Sequence, residues 1–145
     1  MIVIIGIPIF VHSIKKDVWE INATNFIKAF QPISGDAVID DLRAWTPFEW
    51  DNLYSFSPYI SKETIYETIG YKWSNIKETL NEGMNQIVFV HDGEVVCYLF
   101  GYPEHSGIGF NFGEYKGSYI KLTTEQELPF NITERNGVRY FEFIK

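Results

Sequence analysis

Residues 86–100 constrain the fold of this chain more than any other stretch. Gln86-Ile-Val-Phe-Val-His91 and Glu94-Val-Val-Cys-Tyr-Leu-Phe100 are two runs rich in β-branched and aromatic residues, separated only by Asp92-Gly93. That dipeptide accepts the positive φ angles that a two-residue hairpin turn demands, so the segment is expected to be an antiparallel hairpin. Both faces of both strands are apolar, which predicts strands in the middle of a sheet, covered on each side. A hairpin of this kind needs layers above and below it. At 145 residues, 46% hydrophobic and 17% aromatic, the chain can supply them within one domain. Cys97 lies inside the run and reads as a small buried hydrophobe rather than a reactive thiol. As the sole cysteine, it forms neither an internal disulfide nor a cysteine-based zinc cluster.

The other elements follow from periodicity and punctuation. From Ser13 the pattern turns helical: Trp19, Ala23, Phe26, Ile27 and Phe30 form one buried stripe, and Gln31-Pro32 ends it. Residues 36–42 read as a short strand closing on a pair of acids. A strand over 50–56 is expected to place Trp50, Asn52, Tyr54 and Phe56 on a core face and Asp51, Leu53 and Ser55 on the other. Ser61 is a helix N-cap, Ile65 and Ile69 mark the buried face of a helix over 62–69, and Gly70 stops it. A second short helical piece is expected around Trp73 to Leu80. The glycine-crowded residues 101–117 read as a loop or irregular hairpin, since the spacing Gly107-Ile-Gly109 followed by Gly113 misses the dinucleotide-binding pattern by one residue. Strands recur over 118–123 and 130–133, and Asn136-Gly137 turns the chain into a last strand over 138–144. The expected class is α+β: an N-terminal helix and short helices packed on an antiparallel sheet of about five strands, forming a single domain over 13–145.

Residues 1–12 stand apart as an apolar segment. About eleven apolar residues are too few for a hydrocarbon core, which needs roughly 20. They match a signal-peptide core in length, without its positive flank or a clean cleavage site. Three readings stay open: the remnant of a signal or anchor helix that begins upstream, a buried edge strand that tolerates Pro8, or a complete short anchor.

Net charge of −7 argues against nucleic acid, whose binding depends on Lys and Arg displacing counterions. Of the side chains that could do chemistry, His91, Asp92, Glu94 and His105 could in principle share a metal, but a strand of about 20 Å separates His91 from His105, so no metal or cofactor is expected. Asp40, Asp41, Glu49 and Asp51 read as a solvated acidic edge rather than an acid/base pair. No Gly-x-Ser-x-Gly element is present, and no catalytic residue is assigned. Asn22-Ala-Thr24 and Asn131-Ile-Thr133 match the glycosylation sequon. The four Trp, nine Tyr and twelve Phe exceed what a core of this size takes up, so some are expected at a contact surface. Trp45, Tyr59, Tyr66, Tyr71 and Tyr102 are the candidates by position. With the flanks of the 48–59 stretch, they give a ligand-binding set of Trp45, Glu49, Asp51, Tyr59 and Tyr102.

Over roughly residues 38–101 the chain resembles a group of small uncharacterised proteins of Gram-positive bacteria. The resemblance lies in Phe48-Glu49-Trp50-Asp51, the aromatics that follow, Pro58-Tyr59, the Ser61-Lys62-Glu63 helix start and the Val88-Phe89-Val90-His91-Asp92-Gly93 hairpin. It implies export or membrane tethering through the N-terminal apolar segment and carries no activity. The expected function is a non-catalytic extracytoplasmic domain that binds a protein, peptide or cell-envelope ligand. The alternatives are a small hydrolase or metal-assisted enzyme built on His91, His105 and nearby acids, and a toxin-neutralising immunity protein.

Overall fold

The computed structural model describes residues 17–145, and the expectations for residues 1–12 and for a helix start at Ser13 lie outside them. The order of elements is α1 (Val18–Ala29), β1 (Ala37–Ile39), a 3-10 turn (Leu42–Trp45), β2 (Asn52–Phe56), α2 (Lys62–Ile69), β3 (Asn85–His91), β4 (Glu94–Gly101), α3 (Pro103–Ser106), β5 (Ile108–Asn111), β6 (Tyr119–Thr123), β7 (Phe130–Arg135) and β8 (Val138–Phe143). The fold is α+β, as expected. Its strands divide into two four-stranded sheets, β4-β3-β2-β6 and β1-β7-β8-β5. All pairs are antiparallel except β5 with β8, which run parallel.

The turns act where their residues allow. Asp92 and Gly93 take φ of 48° and 77°, and Asn136 and Gly137 take 53° and 78°, the paired positive angles of tight hairpins. The Ser61 hydroxyl accepts the Thr64 N–H at 3.3 Å to open α2, and Gly70 closes it in the left-handed region at φ 95°.

Two cores lie on the two faces of the β4-β3-β2-β6 sheet. On one face Leu53, Phe89, Cys97 and Leu99 meet Phe26 and Phe30 of α1 and Phe130, Ile132 and Phe141 of the other sheet. Phe26 and Phe30 form the junction: Phe26 lies 5.5 Å from Phe89, and Phe30 lies 4.6 Å from Phe141, ring centre to ring centre. On the other face Tyr54, Phe56, Val88, Val90 and Tyr98 are covered by Ile65 and Ile69 of α2, by Ile76, and by Trp19 and Trp73. Each fully buried aliphatic or aromatic side chain contributes about 1.5–3 kcal/mol of burial. Both layers are therefore needed to offset the entropy of ordering the chain.

This double coverage alters the reading of the 50–56 stretch. Burial does not alternate along β2: Leu53, Tyr54, Ser55 and Phe56 are all buried, because the strand is sandwiched. Trp50 precedes the strand and belongs to the first core with Leu53, whereas Tyr54 and Phe56 belong to the second. Trp50 and Tyr54 thus do not share a face. The hairpin also differs in one respect from expectation. β3 is central, but β4 is an edge strand whose apolar character comes from α1 and α2-side cover rather than from a further strand. Its polar edge is blocked by side chains: the Asn22 amide donates to Val96 O at 2.8 Å, and Val95 N–H donates to the Tyr71 hydroxyl at 2.8 Å.

The piece around Trp73 to Leu80 is irregular rather than helical. Its backbone is bonded outward: Lys77 N–H donates to the Tyr98 hydroxyl at 3.1 Å, and Lys77 O accepts the Gln86 side-chain amide. Tyr98 in turn donates to Gln86 Oε1 at 2.6 Å. Trp73 stands edge-on to both Trp19 and Tyr98, at 5.4 and 5.2 Å. Buried polar partners here win over local helix bonds. The glycine-crowded stretch, expected from sequence as a loop or irregular hairpin, contains α3 and β5. β5 was not legible because its pairing with β8 is parallel and spans about thirty residues of chain.

Candidate functional site

A cleft of about 500 Å³ opens on the outer face of the β1-β7-β8-β5 sheet, a volume within the range of ligand sites. Its floor follows from strand register. Directly paired residues share a face, so Thr133, Tyr140 and Gly109 form one row and Asn131, Glu142 and Asn111 the next. Phe130, Ile132 and Phe141 point the opposite way, into the core. The walls come from Pro103 on α3, from the ends of β2 and β3 at Phe56, Pro58 and Asn85, and from Tyr115.

Three local features hold this shape. Gly109 is required because a Cβ there would lie 2.9 Å from Pro103 Cγ and 3.1 Å from Tyr140 Cδ1, so the proline and tyrosine rings close over bare backbone. Asn85, almost wholly buried, donates to Ile108 O at 2.8 Å and accepts the Phe110 N–H at 3.3 Å. Its amide thus pairs with the free edge of β5 as a neighbouring strand would, and joins the two sheets. Tyr115 shares a 2.6 Å hydrogen bond with the Ser55 hydroxyl, which ties the segment after β5 to β2. Burial pushes the Tyr115 phenol above its ordinary range, with the Ser55 bond opposing.

Charge is placed at the two ends. The Arg135 guanidinium lies 4.4 Å from the centre of the Tyr140 ring, a cation–π contact. Arg135 is opposite Val138 in register, and Glu142 is four residues farther along β8 on the same face. The backbone positions that carry them are therefore about 13 Å apart along β8, while the guanidinium itself reaches over Tyr140, two residues from Glu142.

The sequence-derived candidates fall elsewhere and do not converge. Trp45 stacks on Phe30 at 5.5 Å and extends the first core. Tyr59, 63% exposed, lies past the end of β2 opposite to Asp51, with its N–H bonded to Thr79 O. Tyr102 is the half-buried cap residue of α3, edge-on to His105 at 5.9 Å. Tyr66 packs against the second core and Tyr71 serves the β4 edge. Only Glu49 and Asp51 come together, around His91: Glu49 Oε2 is 3.5 Å from Nε2, Asp51 Oδ1 is 3.3 Å from Nδ1, and Asp92 Oδ2 is 3.4 Å from Nε2. Asp51 Oδ2 also accepts the Asp92 N–H at 2.8 Å. That backbone bond, with help from His91, holds the Asp51 carboxyl below the usual aspartate range. Asp41 is likewise lowered, by the hydrogen bonds from Arg43, whose guanidinium also reaches Thr124 O. His91 and His105 sit at opposite ends of the β3–β4 hairpin, since His91 pairs with Glu94 while Asn85 pairs with Gly101. Seven strand residues, roughly 20 Å, lie between.

The cleft residues Arg135, Tyr140, Asn111 and Asn85 had no mark in the sequence reading. The signal available was alternation over 138–143, with Tyr140 and Glu142 interleaved between inward-facing Phe141 and Phe143, but it reads equally as an ordinary exposed face. Among the described residues no helix is long and apolar enough to cross a membrane. No protein-family model, curated protein or solved structure matches this chain.

Proposed function

We propose that the protein is a non-catalytic binding domain and that its ligand is an extended peptide segment held in the cleft beside Tyr140. The observation that carries this reading is the arrangement of the cleft: an aromatic floor and proline walls between the Arg135 guanidinium over Tyr140 and the Glu142 carboxylate farther along β8. An extended chain advances about 3.3–3.6 Å per residue, so a peptide with an acidic and a basic group about two to four residues apart would meet both ends. Asn111 and Thr133 offer hydrogen bonds to the peptide groups between. The groups that line the cleft suit holding rather than bond cleavage, with no imidazole or thiol among them. Action outside the cytoplasm belongs to the same proposal and is supported by the apolar residues 1–12 and the resemblance over 38–101.

The test is a titration of the 15N-labelled protein with two blocked tetrapeptides, Ac-Lys-Pro-Tyr-Glu-NH2 and Ac-Glu-Pro-Tyr-Lys-NH2. Chemical-shift changes should cluster at Gly109, Asn111, Thr133 and Tyr140 for one of them. Arg135→Ala, at an exposed position outside both cores, should weaken that binding about tenfold, in line with the loss of one charge-assisted contact. Shifts that map elsewhere, or binding indifferent to both Arg135→Ala and Tyr140→Ala, would refute the proposal.

A further inference from the structure

We propose that the outer edge of β6 pairs with the same edge of a second copy of this chain, forming an antiparallel dimer about a two-fold axis at Ile120. No residue of β6 lines the cleft, so the two surfaces are separate. Two four-stranded sheets present four outer edges. The edge of β4 is closed by Asn22 and Tyr71, and that of β5 by Asn85. β1 is three residues long, a short edge that offers little to a further strand. The edge of β6 has no such cover among the described residues.

Register shows which backbone groups face outward. Ser57 N–H donates to Ser118 O at 2.9 Å and Thr124 N–H to Asp51 O at 3.3 Å. With Ser55 opposite Ile120 and Leu53 opposite Leu122, the backbone groups of Ser118, Ile120, Leu122 and Thr124 therefore point toward β2. In an antiparallel ladder the residues between them point theirs the other way. These are Tyr119, Lys121 and Thr123. Thr123 is already served by Gln126, whose side-chain oxygen accepts its N–H at 2.8 Å and whose own N–H donates to its carbonyl at 3.2 Å. The N–H and C=O groups of Tyr119 and Lys121 remain. Their side chains leave the edge clear, because both lie on the face of the sheet over Tyr54: the Tyr119 ring stands edge-on to it at 5.7 Å, and the Lys121 ammonium is 5.8 Å from its ring centre.

The occupant is a second copy because the strand is complementary to itself. With the axis at Ile120, Tyr119 of each copy faces Lys121 of the other, and each such pair exchanges both backbone bonds, which satisfies all the open groups. The side chains match as well. Each ammonium meets a tyrosine ring that is 42% exposed in the single chain, a cation–π pairing. Half-buried Ile120, packed against the first core, meets its counterpart. An axis at Lys121 would set two ammoniums opposite each other, and one at Tyr119 would call on Gly117, in the bend before the strand. The contact is small and each chain carries a net charge of −7, which opposes association. The dimer is therefore a transient one, of the class that buries less than about 1,200 Å².

Analytical ultracentrifugation of the full chain should show the average mass rising from one copy toward two as the concentration reaches the submillimolar range. Lys121→Pro should abolish that rise: it removes an outward N–H and leaves the ladder to β2 intact, the one strand setting in which proline is tolerated. Cross-linking gives a second readout that does not depend on this variant folding. The native Cys97 is buried, so a thiol introduced at the edge is the only reactive one. In Ile120→Cys the two Cα atoms would face each other at about 4.5 Å, within disulfide reach. In Lys121→Cys the thiols would be out of register, although the position is the more exposed. Mild oxidation should therefore cross-link Ile120→Cys several-fold faster. A single-copy mass at every concentration, a rise undiminished in Lys121→Pro, or equal cross-linking of the two cysteine variants would each overturn the dimer. So would slow, concentration-independent exchange of the Tyr119 and Lys121 amide hydrogens, which would mean that the edge is held within one chain.

Discussion

Asn85→Ala removes the side chain that bridges β3 to the free edge of β5, and its cost can be worked from the hydrogen bonds it makes. The wild-type amide serves Ile108 O at 2.8 Å and Phe110 N–H at 3.3 Å, from a side chain in a residue only 6% exposed. A buried backbone group left without a partner costs about 1–3 kcal/mol. Ile108 O keeps the Ser106 hydroxyl, which also donates to it at 3.1 Å, and Phe110 is half-buried beside the cleft, where water can recover part of its bond, so neither group bears the full penalty. The sum is about 1–3 kcal/mol, a sizeable share of the roughly 5–15 kcal/mol available to a domain. At about 2–4 °C per kcal/mol for a chain of this size, the melting temperature should fall by roughly 2–12 °C. Urea denaturation followed by far-UV circular dichroism measures the free energy directly. Asn85→Asp sharpens the test, since it keeps an acceptor for Phe110 N–H but turns a carboxylate toward Ile108 O. Its folded-state pKa should be raised by burial and by that carbonyl, so its stability relative to wild type should be greater at low pH and lost as pH rises through the folded value. A midpoint for Asn85→Ala indistinguishable from wild type would show that β5 does not depend on this amide, and the account of how the sheets are joined would fail.

Two further outcomes follow from single environments. Cys97 is fully buried in the first core and burial alone drives its thiol pKa far upward, so a thiol reagent should leave the native protein unlabelled and modify it fully in denaturant. Labelling of the native protein at a rate independent of added urea would contradict that packing. Asp41 and Asp51 both have lowered folded-state values, from Arg43 and from the Asp92 N–H respectively. Their contribution is present above the unfolded aspartate value near ~3.9 and is lost as pH falls through the folded values. Asp51→Asn should therefore flatten the acid side of a stability-against-pH curve relative to wild type, and an unchanged acid slope would count against the Asp51 contacts.

How much of this molecule could be read from the chain varies with the range of the interaction involved. The helix over Lys62–Ile69 and the turns at Asp92-Gly93 and Asn136-Gly137 were legible because each is set by residues within a few positions: a hydroxyl cap, and residues that tolerate positive φ. Trp45, expected as a contact residue from its place in a turn, is half-buried and stacks on Phe30, fifteen residues away, against the first core. Trp50 and Tyr54 were assigned one face by counting alternate residues, and that counting fails at Trp50, where the strand has not yet begun, while it holds for Leu53 against Tyr54 and Phe56. The 73–80 segment has helical spacing, yet Tyr98 and Gln86 claim its backbone.

By itself, then, the sequence determined the α+β class, the two tight hairpin turns, the capped helix and the burial of Cys97. Each depends on local backbone preference or on the bulk partition of apolar side chains away from water. The tertiary structure decided the division into two sheets, the parallel pairing of β5 with β8, the cleft over Gly109 and the gathering of Glu49, Asp51 and Asp92 around His91. These join residues about forty positions apart, such as Asp51 and His91, and as many as 95 apart, such as Ala37 and Ile132 in the β1–β7 pair. No local pattern encodes such pairings, because their free energy exists only once the intervening chain has been ordered and its entropy offset by two cores.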